Sequence, residues 1–275
     1  MAINDVSLTS GMRSNLISLQ GTVDLLNRTQ ERLSTGKKVN SALDNPLNYF
    51  TAKALNSRAN ELDAYKDAMS EAVQTIKAAN AGITAIEGLI AQAKAVASSA
   101  KGTADGSSER TTYYGQYVEI CNQIDKVATD SGYKGVNFLA ATGNSLDVFF
   151  GSDPTDKITI SGFDASATVG LAMTQTGNWG TSINVNADIA TMTAAENTLK
   201  AKTSTLSSGL SIINTRQDWV KGMVDTLTAG ADNLTLADMN EEGANMLMLQ
   251  TRQTLGTTAL SLSAQAAQSV LRLFA

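Results

Sequence analysis

An apolar seam with helical spacing lies near the N-terminus of the chain. Its positions recur in steps of four and three, with Gln30 as the one polar member, and the apolar members are Met12, Leu16, Leu19, Val23, Leu26 and Leu33. This spacing is typical of a helix that winds against another helix. Gly36 can end the helix, and Lys37 and Lys38 suit its C-terminal end. We expect this seam to pair first with the other end of the chain and then with further copies of the protein.

The C-terminal segment carries a complementary apolar surface. It forms two adjacent stripes at helical spacing, one of Leu255, Ala259, Leu262, Ala266 and Leu273, and one of Leu249, Gly256, Leu260, Ala267, Val270 and Phe274. One partner helix cannot cover so wide an apolar face. Heterologous contacts that do not close produce an open helical filament. A stand-alone helical bundle that buries the stripes internally is the alternative. If neighbouring copies bury them instead, the predicted filament interface is Met12, Leu16, Leu19, Val23, Leu26, Leu33, Leu249, Leu255, Leu260, Leu262, Val270, Leu273 and Phe274.

Three further helices are predicted between these ends. The first terminal helix is predicted from about Val6 to Leu33, and the next from Pro46 to about Lys101, capped by Asp44 or Asn45. A turn at residues 102–108 precedes a third helix that ends near residue 131, and a regular four–three repeat over residues 199–234 indicates a coiled coil. We predict a mostly α fold of long antiparallel coiled-coil helices, with paired terminal helices and a small β-hairpin-rich segment.

The β-rich segment is distinguished by its composition. Residues 146–150 and 157–160 alternate between apolar and polar side chains and predict one or two hairpins, the first turning through residues 152–155. Residues 140–190 contain five Asp and a single Lys, without Glu or Arg, and we expect this part to be the most exposed. These acidic residues and Trp179 are the only support for a ligand-binding role of this segment, and a solvated face explains them better.

Composition excludes several classes of function. The 275 residues contain no His and one Cys, so zinc sites of the Cys/His kind and hydrolases with a His base are excluded. Cys121 is predicted to be a small buried apolar residue. A net charge of −5 argues against a nucleic-acid partner, and no apolar stretch is long enough for membrane insertion. Without a phosphate-binding loop or a catalytic pair, we expect no enzymatic activity and no cofactor or metal; we also expect no cleavable signal peptide.

The sequence resembles bacterial flagellin over nearly its whole length. Residues 30–44 are similar to the family's Glu-Arg-Leu-Ser-Ser-Gly pattern with its following basic residue, Asn-Ser-Ala and acidic pair, and further similar segments are residues 122–127, 133–139, 255–261 and 269–274. The resemblance implies an extracellular subunit of the flagellar filament, exported through the flagellar type III apparatus. Its implied partners are other copies of itself, that export apparatus, an export chaperone and the filament cap.

The resemblance also implies a layered subunit. Residues 1–40 and 239–275 would form the inner filament core, residues 41–139 and 187–238 a long helical bundle, and residues 140–186 a small exposed β-rich segment. Asp44-Asn45-Pro46 also occurs in the related hook–filament junction protein, so that function and a secreted flagellin-like adhesin are the alternatives.

One family motif is altered in this chain. In flagellins that activate the Toll-like flagellin receptor, a conserved-looking segment of the first long helix carries two Arg and one Glu. The matching segment begins at Leu89 and has Ala91 and Ala93 at the arginine positions and Lys94 at the glutamate position. Because arginines are frequent interface hot spots and the reversed charge is repulsive, we expect weak receptor signalling.

Overall fold

The computed structural model describes residues 10–140 and 144–273, with side chains described as far as residue 269. Its elements in chain order are α1 (Ser10–Thr35), α2 (Pro46–Lys101), α3 (Ser108–Asp130), β1 (Ser145–Phe149), β2 (Lys157–Ser161), a short 3-10 turn (Gly177–Trp179), α4 (Ser182–Thr235) and α5 (Met239–Leu273). The predicted mostly α fold with a small antiparallel hairpin is confirmed. Residues 6–9, where we expected the first helix to begin, lie outside the described residues.

Two compact units make up the chain. The first comprises residues 1–57 and 226–275, and the second comprises residues 58–225. The first unit holds α1, α5, the start of α2 and the end of α4, and α1 packs against α5. The second unit holds the middle of α2 and α4, α3, the hairpin and the loops around it.

A main-chain clasp joins the two linkers of the first unit. Gly36 ends α1 with φ +70°, a conformation that suits glycine because it lacks a Cβ atom. Beyond it, the Lys38 N–H donates to the carbonyl oxygen of Thr235 at 2.7 Å, and the Ala237 N–H donates to that of Gly36 at 3.0 Å. The linker between α1 and α2 is thereby held to the linker between α4 and α5.

Of the two predicted capping residues, Asn45 and not Asp44 caps the N-terminus of α2. The side-chain oxygen of Asn45 accepts from the Asn48 N–H at 3.1 Å, so Asn45 is the N-cap and Pro46 occupies the first turn, as expected. Asp44 instead accepts from the backbone N–H groups of Ser41 and Asn40. These two hydrogen bonds lower the pKa of the Asp44 carboxyl.

The core of the second unit is built from periodic aliphatic residues. Met69, Ile76, Ile83, Ile86 and Ile90 recur along one face of α2 and are fully buried. Buried residues of α3 and α4 include Tyr117, Cys121, Ile124, Leu199, Leu206 and Ile213. The expected burial of Cys121 is confirmed.

The hairpin turns where the sequence predicts, and the segment around it is less exposed than expected. Ser145 lies opposite Ser161, and Phe150 N–H donates to the Asp156 carbonyl oxygen at 2.9 Å to close the turn. Trp179 does not belong to a solvated face, because its indole is fully buried and stacks on Tyr117 with ring centroids 4.9 Å apart. A buried Trp179 cannot contact a ligand at the surface, so it no longer supports a ligand-binding role.

The buried Trp179 is held by a buried carboxylate. Asp188 of α4 accepts from the Trp179 indole N–H at 2.7 Å, from the Thr176 N–H at 3.0 Å, and from the hydroxyls of Thr174 and Thr176 at 2.6 and 2.7 Å. Four donors offset the cost of burying this charge. They tie the loop before α4 onto the helix.

Candidate subunit interface on the terminal helices

The α1 seam is used within the subunit. All six predicted α1 positions, Met12, Leu16, Leu19, Val23, Leu26 and Leu33, are buried or half-buried. On α5 the facing residues include Leu249, Gly256 and Leu260, which are also buried or half-buried. A Cβ atom placed on Gly256 would lie 2.5 Å from a methyl carbon of Leu19, so the two helices approach closely there. These residues form the internal seam of the α1–α5 pair.

An ion pair fixes the pairing at one end of this seam. Arg32 of α1 donates to Glu242 of α5 at 2.7 Å, and the Glu242 side chain is only 8% exposed. Glu242 also lies near the N-terminus of α5, where the helix dipole favours a negative charge. The ion pair is not predictable from local sequence, because 210 positions separate the two residues. This ion pair determines which residues of α1 and α5 lie opposite each other at that end of the seam.

A second apolar stripe on α5 faces away from α1. Leu255 is 65% exposed and Leu262 is 61% exposed, and Met248, seven residues before Leu255, is exposed as well. Seven residues span nearly two helical turns, so the three side chains share one face. We call Met248, Leu255 and Leu262 the outer stripe. Large apolar side chains at this spacing, left open along a helix, indicate a surface that another chain covers.

Further exposed apolar residues accompany the outer stripe. They are Ile17 and Leu25 on α1 and Leu247 on α5. Leu255 and Leu262 belong to the filament interface predicted from sequence, whereas these three residues and Met248 do not. The heptad that leads back from Leu255 to Met248 is the signal that would have found it. The side chains of Val270 and Leu273, and the whole of Phe274, lie outside the described residues, so their predicted interface role stays a prediction.

The start of α2 presents another apolar patch. Leu43 is 96% exposed, and Leu47 and Phe50 are exposed beside it. Tyr49 packs edge-on against Phe50, with ring centroids 5.5 Å apart. Leu47 and Phe50 share one face of α2, and Leu43 lies in the turn just before the helix. The first unit therefore shows apolar surface at more than one place.

The segment equivalent to the receptor motif is mostly engaged in the fold. Leu89 is half-buried, Ala91 is exposed and Ala93 is fully buried. Lys94 donates to Glu196 of α4 at 2.6 Å. A partner could therefore reach Ala91 directly, whereas Ala93 lies in the core and the Lys94 charge is already paired.

No metal or membrane signature occurs in the part of the chain that the structure describes. Over residues 10–140 and 144–273, His, Cys, Asp and Glu form no group of three or more that could hold a metal ion. Among the described helices, none combines the length and apolar character that membrane crossing requires.

Comparison with known proteins decides the family. A family model described as the bacterial flagellin N-terminal helical region matches residues 3–144, more than half of the chain. The chain belongs to the bacterial flagellin family. Flagellin FljO and flagellin FljK of Caulobacter vibrioides are each 31% identical to it, over 100% of this chain and 100% of each relative. A flagellin of Brucella melitensis is 26% identical, over 94% of this chain and 95% of the relative.

A solved structure was also found by comparison of folds. The crystal structure of Bacillus cereus flagellin matches with a TM-score of 0.47 and 15% sequence identity, covering 55% of this chain and 86% of that chain. The family assignment rests on the sequence relatives. This flagellin is therefore a structural subunit of the extracellular flagellar filament, and the expectation drawn from residues 30–44 and the later segments is confirmed.

Proposed function

We propose that subunits of this flagellin join through the outer stripe of α5. The observation that carries the proposal is that Met248, Leu255 and Leu262 remain exposed at heptad spacing after α1 has taken the opposite face of the helix. Ile17 and Leu25 extend the apolar surface onto α1. A face of this kind on a subunit that polymerises needs a neighbour, because its burial is the main favourable term in association.

The interface predicted from sequence divides into two sets under this proposal. The internal set, Met12, Leu16, Leu19, Val23, Leu26, Leu33, Leu249 and Leu260, builds the α1–α5 pair and is only partly left for neighbours. The outer set, Leu255 and Leu262, contacts neighbours directly. Val270, Leu273 and Phe274 complete the terminal contact in this proposal.

We propose the following layers for the filament. Residues 1–40 and 239–275 line the inner core, residues 41–139 and 187–238 form the surrounding helical bundle, and residues 140–186 face outward. The α1–α5 packing within the first unit is consistent with a helical inner wall.

The terminal helices are proposed to order on assembly and to be handled in transit by other proteins. The seam residues on α1 other than Met12 are mostly half-buried in the single chain, so their burial is incomplete. Ordering a residue costs about 1–2 kcal/mol of backbone entropy, and incomplete burial does not offset this. A subunit with mobile ends suits threading through the flagellar export apparatus, cover by an export chaperone, and placement under the filament cap.

We propose that the chain has no catalytic activity of its own. A groove of about 550 Å³ lies between β2 and α4, and Lys202 is its only charged lining residue. General acid–base catalysis most often uses His, Asp or Glu side chains, and none of these lines this groove. The remaining lining consists of Phe163 and of aliphatic, hydroxyl or glycine residues, such as Ile160, Ser208 and Gly209.

Thiol protection tests the outer stripe directly. The single native cysteine is buried, so a Leu255→Cys variant carries one accessible thiol, and Ser261→Cys serves as a matched control on the polar face of α5. Both variants are grown from filament seeds, imaged by electron microscopy and exposed to a maleimide. We expect Cys at 255 to react in monomers and to be protected in filaments, while Cys at 261 reacts more readily in the filament than Cys at 255. Equal reactivity of the two thiols in filaments would exclude the outer stripe as the contact.

A further inference from the structure

The turn between α2 and α3 contains the single Asp–Gly sequence of the chain, Asp105–Gly106. Among aspartate-containing dipeptides, Asp–Gly is the most prone to rearrange spontaneously, because glycine has no side chain to hinder its nitrogen and moves freely in φ and ψ. Gly106 has φ +72° and the Asp105 side chain is more than half exposed, so water reaches the site.

The rearrangement requires only water. The main-chain nitrogen of Gly106 attacks Cγ of Asp105, an N–Cγ bond closes a five-membered succinimide, and a carboxyl oxygen leaves as water with the amide proton and the acid proton. Water then adds to one of the two ring carbonyls. Addition at the original main-chain carbon breaks its bond to nitrogen, so the chain continues through Cγ as isoaspartate, with no atom gained or lost overall.

Both reacting groups are restrained in the folded chain. The Asp105 carboxylate accepts from the Ser182 N–H at 3.2 Å, from the Ser182 hydroxyl at 2.8 Å, and from the guanidinium of Arg110. Hydrogen bonds from Ser182 and Arg110 lower the pKa of the Asp105 carboxyl, and the ionised form cannot lose hydroxyl as water. The Gly106 N–H donates to the Gly180 carbonyl oxygen at 3.0 Å, which orients it away from attack.

Arg110 anchors this restraint in the core. Its side chain is only 1% exposed, its Nε donates to the Ala100 carbonyl oxygen at 3.1 Å, and its remaining donors reach the Thr103 carbonyl oxygen and the Ser182 hydroxyl. The guanidinium therefore joins the end of α2 and the start of α4, and Asp105 is its anionic partner. We call the contacts of Asp105 and Gly106 with Arg110, Ser182 and Gly180 the turn clamp.

We propose that Asp105–Gly106 is a latent site of isoaspartate formation, closed in the folded chain by the turn clamp and opened whenever that clamp breaks. The product lengthens the main chain by one carbon and moves the carboxylate, so Arg110 loses its anion inside a buried site. An unpaired buried charge destabilises the fold, and the turn does not reclose as before. In an extracellular filament, such subunits would accumulate with age, which is a property separate from how subunits join.

The test follows isoaspartate in the full-length chain. Folded protein, protein unfolded in urea, and the variant Ser182→Ala are incubated at neutral pH, and residue 105 is analysed by fragmentation mass spectrometry that distinguishes isoaspartate from aspartate. Ser182→Ala removes one hydroxyl donor and keeps the N–H. We expect the unfolded chain to react fastest, and the variant to react roughly tenfold faster than the folded parent, because it lacks one hydrogen bond to a charged group.

Controls separate loss of the clamp from loss of the fold. Ser108→Ala changes an exposed serine near the same turn that does not donate to Asp105, and its rate should equal that of the parent. Arg110→Lys keeps the charge without the planar set of donors and should also raise the rate. Equal rates in the folded and unfolded parent would overturn the proposal. So would unchanged rates in Arg110→Lys, or in a Ser182→Ala protein whose circular dichroism matches the parent.

Discussion

Truncating the outer stripe should weaken polymerisation without changing the fold of the subunit. Leu255 and Leu262 are 65% and 61% exposed, so most of each side chain remains to be buried by a neighbour. Full burial of a leucine is worth roughly 1.5–3 kcal/mol, and a neighbour buries about two thirds of each side chain. An alanine methyl retains part of this free energy, so each substitution loses about 1 kcal/mol. The double variant Leu255→Ala/Leu262→Ala therefore loses about 2 kcal/mol of association free energy, which raises the critical concentration roughly thirtyfold.

The assay is seeded polymerisation over a range of subunit concentrations, with the soluble fraction measured after sedimentation. The matched control is Thr254→Ala/Ser261→Ala, which has the same seven-residue spacing and lies on an exposed polar face of α5. We expect the control to keep the critical concentration of the parent, and both doubles to keep the circular dichroism of the parent monomer. A parental critical concentration in the leucine double, or an equal defect in the control, would refute the reasoning.

Three other predictions concern assembly, acid stability and receptor signalling. Hydrogen exchange should show that α1 and α5 are less protected in monomers than in filaments, and strong protection of both helices in monomers would contradict this. Deletion of residues 269–275 should abolish polymerisation while the second unit stays folded. Lys200 and Lys94 lower the pKa of Glu196 to about 2, below its unfolded value, so their stabilisation is present at neutral pH and is lost as pH falls from about 5 to 2. Glu196→Gln should flatten that part of the acid unfolding curve, and an unchanged curve would count against the pairing. Pure monomer should activate the Toll-like flagellin receptor weakly in a reporter assay, because the exposed Ala91 stands where the family motif has an arginine, and potent activation would contradict this.

Periodicity made the helices predictable. The α2 bounds follow from Pro46 at the first turn and the breaker-rich segment after Lys101, both of which are local signals. The α1 seam and the hairpin turn are likewise predicted by the spacing of residues that lie close together in the sequence. Such features are accessible from sequence because each depends on neighbours a few positions away.

The features that sequence analysis missed depend on distant partners. Glu242 pairs with Arg32, and Asp188 accepts hydrogen bonds from a loop whose sequence has no periodic pattern. The two α5 stripes were visible, but which of them faces α1 depends on the close approach at Gly256. Trp179 was expected at the surface because its surroundings are polar, and its burial follows from stacking on Tyr117 and the hydrogen bond to Asp188.

The main-chain clasp between residues 36–38 and 235–237 has a mechanical consequence. A propeller subunit experiences shear along its helix axes, and a slip of α5 past α1 by one turn would move it by about 5.4 Å. The clasp resists this at one end, because its hydrogen bonds run between backbone atoms of the two linkers and must break before the helices slide. Each of these hydrogen bonds contributes about 0.5–1.5 kcal/mol to stability. Because these bonds join backbone atoms, substitutions at Lys38, Thr235 and Ala237 leave them in place, whereas Gly36 is restricted by its φ of +70°.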